Sequence, residues 1–163
     1  MTGEPADLLR AKVLTVSDGV VGGTREDRSG ELLAAALGDA GWEVVDRRAV
    51  ADGVGNVAAA LADLCAGFSG LVVTTGGTGF SPRDQTPEGT LAVVDRQAPG
   101  LAEAMRAANP GLGRLSRAVA GTVGACIVIN TPGSSAGAVE CLGAVAEILP
   151  HALALLAGAP TRH

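Results

Sequence analysis

Aromatic side chains are almost missing from this 163-residue chain: it has no tyrosine, one tryptophan (Trp42) and two phenylalanines, Phe68 and Phe80. A core without large rings must be built from Val, Leu, Ile and Ala, which requires helices to lie close on a sheet. The 24 glycines, about twice ordinary usage, suit that approach. Lysine is scarcer still. Lys12 is the only one, arginine supplies nearly all the positive charge, and the net charge is −5. Without a basic run or aromatic platforms the chain is a poor nucleic-acid binder. Any anionic ligand must be held locally, by backbone N–H groups, a few arginines or a bridging metal ion. Cys65, Cys126 and Cys141 are odd in number and contain no C-x-x-C pair. That excludes a disulfide framework and a zinc site, and indicates buried thiols in a reducing compartment. The opening MTGEPADLLR is polar and acidic, unlike a signal peptide, and no apolar run approaches membrane-spanning length. The expectation is a cytoplasmic protein with no membrane partner, a flexible tail over residues 1–10 and a single domain over 11–163.

What is present is an alternation of short apolar runs and helical patterns. Strands are expected at Lys12–Ser17, Trp42–Val50, Leu71–Thr75 and Ala125–Asn130. Between them, Ser29 can cap a helix reaching about Asp39, and Val57, Leu61, Leu64 and Cys65 form one helical face. Thr86 suits a helix cap, with Pro87 in the first turn and Glu88 at the positive end of the dipole. A glycine- and proline-rich stretch, Ala98 to Gly113, is expected to hold a short helix around Leu101–Ala107. The last long helix carries Val139, Leu142, Val145 and Leu149 on a stripe, and Pro150 opens a closing turn or helix. This order predicts an α/β domain with a mostly parallel sheet and helices on both faces.

In such sheets ligands bind beyond the carboxyl ends of the strands. Three unusual segments begin there: SDGVVGGTREDRSG (Ser17–Gly30), TTGGTGFSPRDQTPEG (Thr74–Gly89) and NTPGSS (Asn130–Ser135). Gly76, Gly77 and Gly79 allow close backbone approach and present N–H groups to an anion, and Thr75 and Thr78 add hydroxyls. Asp84 and Glu88 bring carboxylates to the same mouth, with Arg83 between them. Carboxylates beside bound phosphate repel it unless a cation intervenes, and Mg²⁺ resolves that conflict. The plainer alternative is a glycine-rich turn before a well-capped helix. Asp18 and Asp52 follow strand ends and can face the same pocket; a helix cap is the competing role for Asp52, as for Asp27 and Ser29. Arg106 and Arg117 are candidate anion contacts or ordinary surface ion-pairing residues.

Two motifs are set aside. Gly53-Val54-Gly55-Asn56-Val57-Ala58 has the form of a dinucleotide fingerprint, but no acidic residue ends the following strand to hold a ribose. Gly133-Ser134-Ser135-Ala136-Gly137 matches the hydrolase elbow, yet Glu140, Glu147 and His151 lie on or just past one helix and cannot form a triad around Ser135. Gly133 and the serines read better as a helix N-terminus that binds an anion. His151, among Leu149, Leu153 and Leu155, reads as structural.

Taken together, TTGGTGFSPRDQTPEG, SDG with EDRSG, LSRAVAG (Leu115–Gly121) and PGSS…ECL followed by LPHAL resemble the Mog/MoaB family of molybdenum-cofactor biosynthesis proteins. The similarity runs from about Lys12 to Gly158. The resemblance implies a three-layer α/β sandwich, commonly assembled as a homotrimer. It also implies Mg²⁺- and ATP-dependent adenylylation of molybdopterin, which is then handed to a molybdenum-insertion enzyme. Carried over by motif, Asp52 and Asp84 fall on positions linked to catalysis. Asp18, the Gly76–Gly79 loop with Thr75 and Thr78, Ser116, and Pro132, Gly133 and Ser134 fall on substrate-binding positions. Asp52, Asp84 and Glu88 are the carboxylates expected to hold Mg²⁺. Three positions depart from the family pattern: Ala51-Asp52-Gly53 in place of Pro-Asp-Asp, Gly19 after Asp18, and Ser135 after Pro-Gly-Ser. They leave two readings, tuned affinity in a working transferase or a carrier subunit that binds the pterin without turning it over.

Overall fold

The computed structural model describes residues 8–160. Its sheet has six strands in the order β2-β1-β3-β6-β5-β4. β1 (Arg10–Val16), β2 (Glu43–Val50), β3 (Gly70–Thr75) and β6 (Cys126–Thr131) run parallel, and β5 (Ala120–Val123) and β4 (Arg96–Gln97) extend one side through antiparallel pairing. The expected tail over residues 1–10 lies mostly on residues 1–7, outside the described residues. Leu9 and Arg10 already belong to the sheet, Leu9 accepting a 2.7 Å hydrogen bond from the Glu43 N–H.

Strand periodicity sorts the side chains into two layers. Ala11, Val13, Leu71, Val73, Ile127 and Ile129 face one side. There they meet Leu33 and Leu37 of α2 (Arg28–Asp39), Met105 of α5 (Pro99–Ala107), Leu142 and Val145 of α7 (Ser135–Val145), and Leu149 at the start of α8 (Leu149–Leu156). Leu14, Val16, Val72, Cys126 and Val128 face the other side, against Val57, Leu61 and Leu64 of α3 (Val54–Cys65), beside which α4 (Thr86–Leu91) packs. β3 is buried along its whole length. This is the three-layer α/β sandwich with a mostly parallel sheet.

Several sequence expectations shift locally. Asp27, not Ser29, caps α2, its carboxylate accepting from the Gly30 N–H at 3.1 Å, while Ser29 is buried within the first turn. Gln85 holds the cap position of α4, and the Thr86 hydroxyl instead donates to the Gly76 carbonyl at 2.8 Å. Ala138 rather than Val139 takes the inward place on α7, since it follows the 3.6-residue spacing to Leu142 and Val145. The Ala98–Gly113 stretch holds a second short helix, α6 (Pro110–Gly113). β4 and β5 were not expected: one is two residues long, and neither carries an alternating apolar pattern. His151 is exposed on α8 rather than packed among leucines.

Candidate functional site

Register decides where the loops emerge. Thr15 pairs with Thr75, Thr75 with Thr131, and Val16 with Val50, so all four parallel strands stop at one level. The segments that follow them open side by side onto a cavity of about 830 Å³, near the upper end of the size typical of small-molecule sites. All three segments singled out in the sequence contribute to its wall. Thr75, Gly76, Gly77, Thr78 and Gly79 line it from one loop, and Pro132, Gly133 and Ser134 from another. Ser116, Asp52 and Asp84 also line it; Asp18 and Glu88 do not.

The glycine loop is shaped as much by the protein as by any ligand. Gly76 and Gly77 have φ of +98° and +68°, where a side chain is strained. A Cβ on Gly76 would press into the Val16 carbonyl, and one on Gly77 into the Thr86 hydroxyl, with Asp52 Oδ1 at 3.2 Å. Beneath the loop lies a buried polar network. Thr86 bonds the Gly76 carbonyl, the Thr90 hydroxyl donates to the Thr86 carbonyl at 2.8 Å, and Asn130 Nδ2 reaches the hydroxyls of Thr74 at 2.9 Å and Thr90 at 3.0 Å. Asn130 Oδ1 accepts from the Val119 N–H at 3.1 Å, tying β5 into the same network. Thr75 donates to the Pro132 carbonyl at 2.9 Å, joining the loop to the turn before α7. There Ser134 caps the helix, its hydroxyl accepting from the Gly137 N–H at 3.2 Å. The first turn of an eleven-residue helix therefore faces the cavity with its positive end.

Asp52 is buried and accepts from the Asp18 N–H through Oδ2 at 2.9 Å. Asp84 accepts from the Ser81 N–H through Oδ2 at 3.0 Å. The remaining carboxylate oxygen of each takes no protein donor among the described residues. Mg²⁺ binds through one or two protein carboxylates and completes its shell with water and substrate phosphate. Asp52 and Asp84 fit that donor set. Glu88 is not brought into it: its carboxylate is ion-paired to Arg117, which holds its pKa below the usual glutamate range. Among the described residues no three His, Cys, Asp or Glu side chains cluster as a protein-only metal cage.

Arg117 is no open anion contact either. Nε donates to the Gly79 carbonyl at 2.7 Å, Nη2 to the Asp84 carbonyl at 2.5 Å, and its N–H to the Thr78 carbonyl at 2.9 Å, so it pins both ends of the segment that carries Asp84. Arg106 does line the cavity, with Nη1 bonded to the Ala118 carbonyl at 2.8 Å. Sequence reasoning missed the far wall, made by Met105, Asn109, Leu112 and Leu115 around α5 and α6. Its one signal was the Asn109-Pro110-Gly111 run, in which Asn109 caps α6. Cys141 also lines the cavity, half-buried, whereas Cys65 and Cys126 are buried against each other's strand and loop; Cys126 Sγ lies 3.1 Å from the Phe68 carbonyl. A hydrogen bond with Cys126, together with burial, pushes the Cys65 thiol up.

A family profile described as a probable molybdopterin binding domain matches residues 12–151, most of the chain. The chain belongs to that family. Among the family's curated members, it is 35% identical over 152 residues to the molybdopterin adenylyltransferase of Helicobacter pylori, covering 90% of this chain and 86% of that protein. It is 38% identical to the molybdenum cofactor biosynthesis bifunctional protein of Synechococcus elongatus, of which it spans only 48%, about half. Among solved structures, the molybdopterin biosynthesis enzyme MoaB of Thermus thermophilus superposes with a TM-score of 0.86 at 40% identity, covering 95% of this chain and all of the other. As a family member, the chain carries the TGGTG loop, Asp52 and Asp84 on one cavity wall.

Proposed function

We propose that the chain works in molybdenum-cofactor biosynthesis as a molybdopterin adenylyltransferase, with ATP and molybdopterin as substrates and Mg²⁺ as cofactor. The observation that carries this reading is the placing of Asp52 and Asp84, each with an unused carboxylate oxygen, against a glycine loop and a helix N-terminus that favour anions. A terminal phosphate oxygen of molybdopterin attacks the α-phosphorus of ATP, a P–O bond forms there, and pyrophosphate leaves with the electrons of the broken bond. The phosphate nucleophile is already ionised at neutral pH, so the site needs no general base, consistent with the exposed His151 far along the chain on α8. The protein's share is alignment and electrostatics. The N–H groups of the Gly76–Gly79 loop and of the first turn of α7 take phosphate oxygens, Thr78 and Ser116 orient them, and Arg106 offsets charge. Bound Mg²⁺, held by Asp52 and Asp84, supplies charge neutralisation between the phosphates.

The named relatives support the same reading, as does the conservation of chemistry across the motif segments on one cavity. The experiment is product formation from purified protein, freshly released molybdopterin, ATP and Mg²⁺, read by chromatography, with Asp84→Asn in parallel. Product that disappears in the variant while pterin binding persists upholds the transferase. A wild type that binds pterin and never yields product replaces it with the carrier reading, for which Gly53, at φ +126° directly after Asp52, is the motivating observation. We further propose a cytoplasmic homotrimer that passes its product to an insertion enzyme. Three free thiols support the reducing compartment, and light scattering on the purified protein tests the trimer.

A further inference from the structure

Asp18 stands beside the cavity without lining it, and its bonds explain why. Arg83 grips its carboxylate with two prongs, Nε to Oδ2 at 3.0 Å and Nη2 to Oδ1 at 2.9 Å. The same Nη2 donates to the Asp52 carbonyl at 3.1 Å. Asp18 and Asp52 then exchange bonds: the Asp18 N–H donates to Asp52 Oδ2 at 2.9 Å, and the Asp52 N–H donates to Asp18 Oδ1 at 3.1 Å. One arginine from the loop after β3 thereby fastens the loop after β1 to the loop after β2. It does so around the carboxylate whose other oxygen faces the site.

Asp52 needs such outside help. Gly53, its neighbour, lies in the left-handed region at φ +126° and caps α3 without any side-chain bond, so the chain just beyond Asp52 does little to fix it. Nothing on Asp18 is left to greet a ligand, since both of its oxygens are occupied by Arg83 and the Asp52 N–H.

Resting on the transferase reading above, we infer that Arg83 and Asp18 are positioning residues that aim the Asp52 carboxylate, and that Asp18 is not a substrate ligand. The ion pair is largely exposed, so it contributes little to stability, but misplacing a reacting group by about an ångström can cost on the order of a hundredfold in rate.

The test compares Arg83→Ala, Arg83→Lys, Asp18→Asn and the Arg83→Ala/Asp18→Asn double variant in the adenylylation assay, with backbone hydrogen exchange followed in parallel. Each single variant is expected to lose roughly 10- to 100-fold in kcat with both KM values unchanged, and the melting temperature to fall by no more than about 3 °C. Lysine keeps the charge but not the fork, so Arg83→Lys recovers only part of the rate. The double variant should match the worse single variant, because the two residues act as one unit. Exchange at the Asp18 and Asp52 amides should quicken in Arg83→Ala while core amides hold. A raised KM with normal kcat, multiplying losses in the double variant, or unchanged exchange at both amides overturns the inference. If the wild type forms no product at all, the transferase reading falls, and the exchange result still decides the clamp.

Discussion

Replacing Gly76 with alanine probes the loop where the fold itself demands glycine. At φ +98° a Cβ costs about 1–3 kcal/mol in backbone strain. It also meets the carbonyl of Val16, a backbone group of a central strand, with the Val16 carbonyl carbon at 3.4 Å and Cα at 3.9 Å. That group cannot rotate away, so β3 must lift from β1 at its end, an overpacking cost of about 1–3 kcal/mol more. A total near 4 kcal/mol is a large part of the usual 5–15 kcal/mol and lowers the melting temperature by roughly 8–16 °C. Gly79→Ala is the built-in control. Its Cβ meets only Asp84 Oδ2, at 2.9 Å, the end of a rotatable side chain, and its φ is not in the left-handed region. Stability should change by less than about 1 kcal/mol while adenylylation drops, because Asp84 is displaced. Urea unfolding followed by circular dichroism, run with activity on both variants, decides the matter. If Gly76→Ala unfolds within about 1 kcal/mol of wild type, the argument that packing dictates this glycine is wrong.

Further expectations follow from other contacts. Asn130→Ala leaves the Val119 N–H and the hydroxyls of Thr74 and Thr90 short of partners in a buried network, and should cost at least about 2 kcal/mol in chemical denaturation. Arg117→Met removes the bonds to Gly79, Asp84 and Glu88, and should weaken activity and stability together at pH 7. Glu88 has a depressed pKa in the folded state, so the benefit of its pairing is full above the ordinary glutamate range and is lost as pH falls through the lower folded value. The gap in urea midpoint between wild type and Arg117→Met should therefore narrow between pH 7 and pH 3. A thiol reagent should modify Cys141 slowly in the native protein, burial having raised its pKa, and spare Cys65 and Cys126 until unfolding; mass spectrometry reads the count.

The parallel half of the fold was legible because its strands are long, apolar and separated by well-marked helices. β4 and β5 were not, since a two-residue strand and the Ala120–Val123 strand gain their identity only from pairing with β6. The cavity was legible because strand ends converge wherever a parallel sheet forms, so Thr75–Gly79, Asp52, Asp84 and Pro132–Ser134 could be placed on one edge in advance. Which carboxylates stay open to it was not. Asp18 and Glu88 look the same as Asp52 and Asp84 in the sequence, and only the arginines that reach them from distant segments, Arg83 and Arg117, separate paired from unpaired groups. The far wall escaped for a related reason: Leu112 and Leu115 carry no chemistry, and their role is purely one of shape.

Lys12 lies half-buried, its Nζ bonded to the Leu64 carbonyl at 2.8 Å and centred 4.1 Å from the Phe68 ring. The sole lysine is thus spent inside the molecule, and the native surface offers amine-directed reagents no side chain. Cross-linking with such reagents would leave any assembly of this chain untouched whatever its size, so a blank gel would carry no information about subunit number. Coupling through carboxylates, which line the surface in plenty, is the chemistry that can report neighbours here.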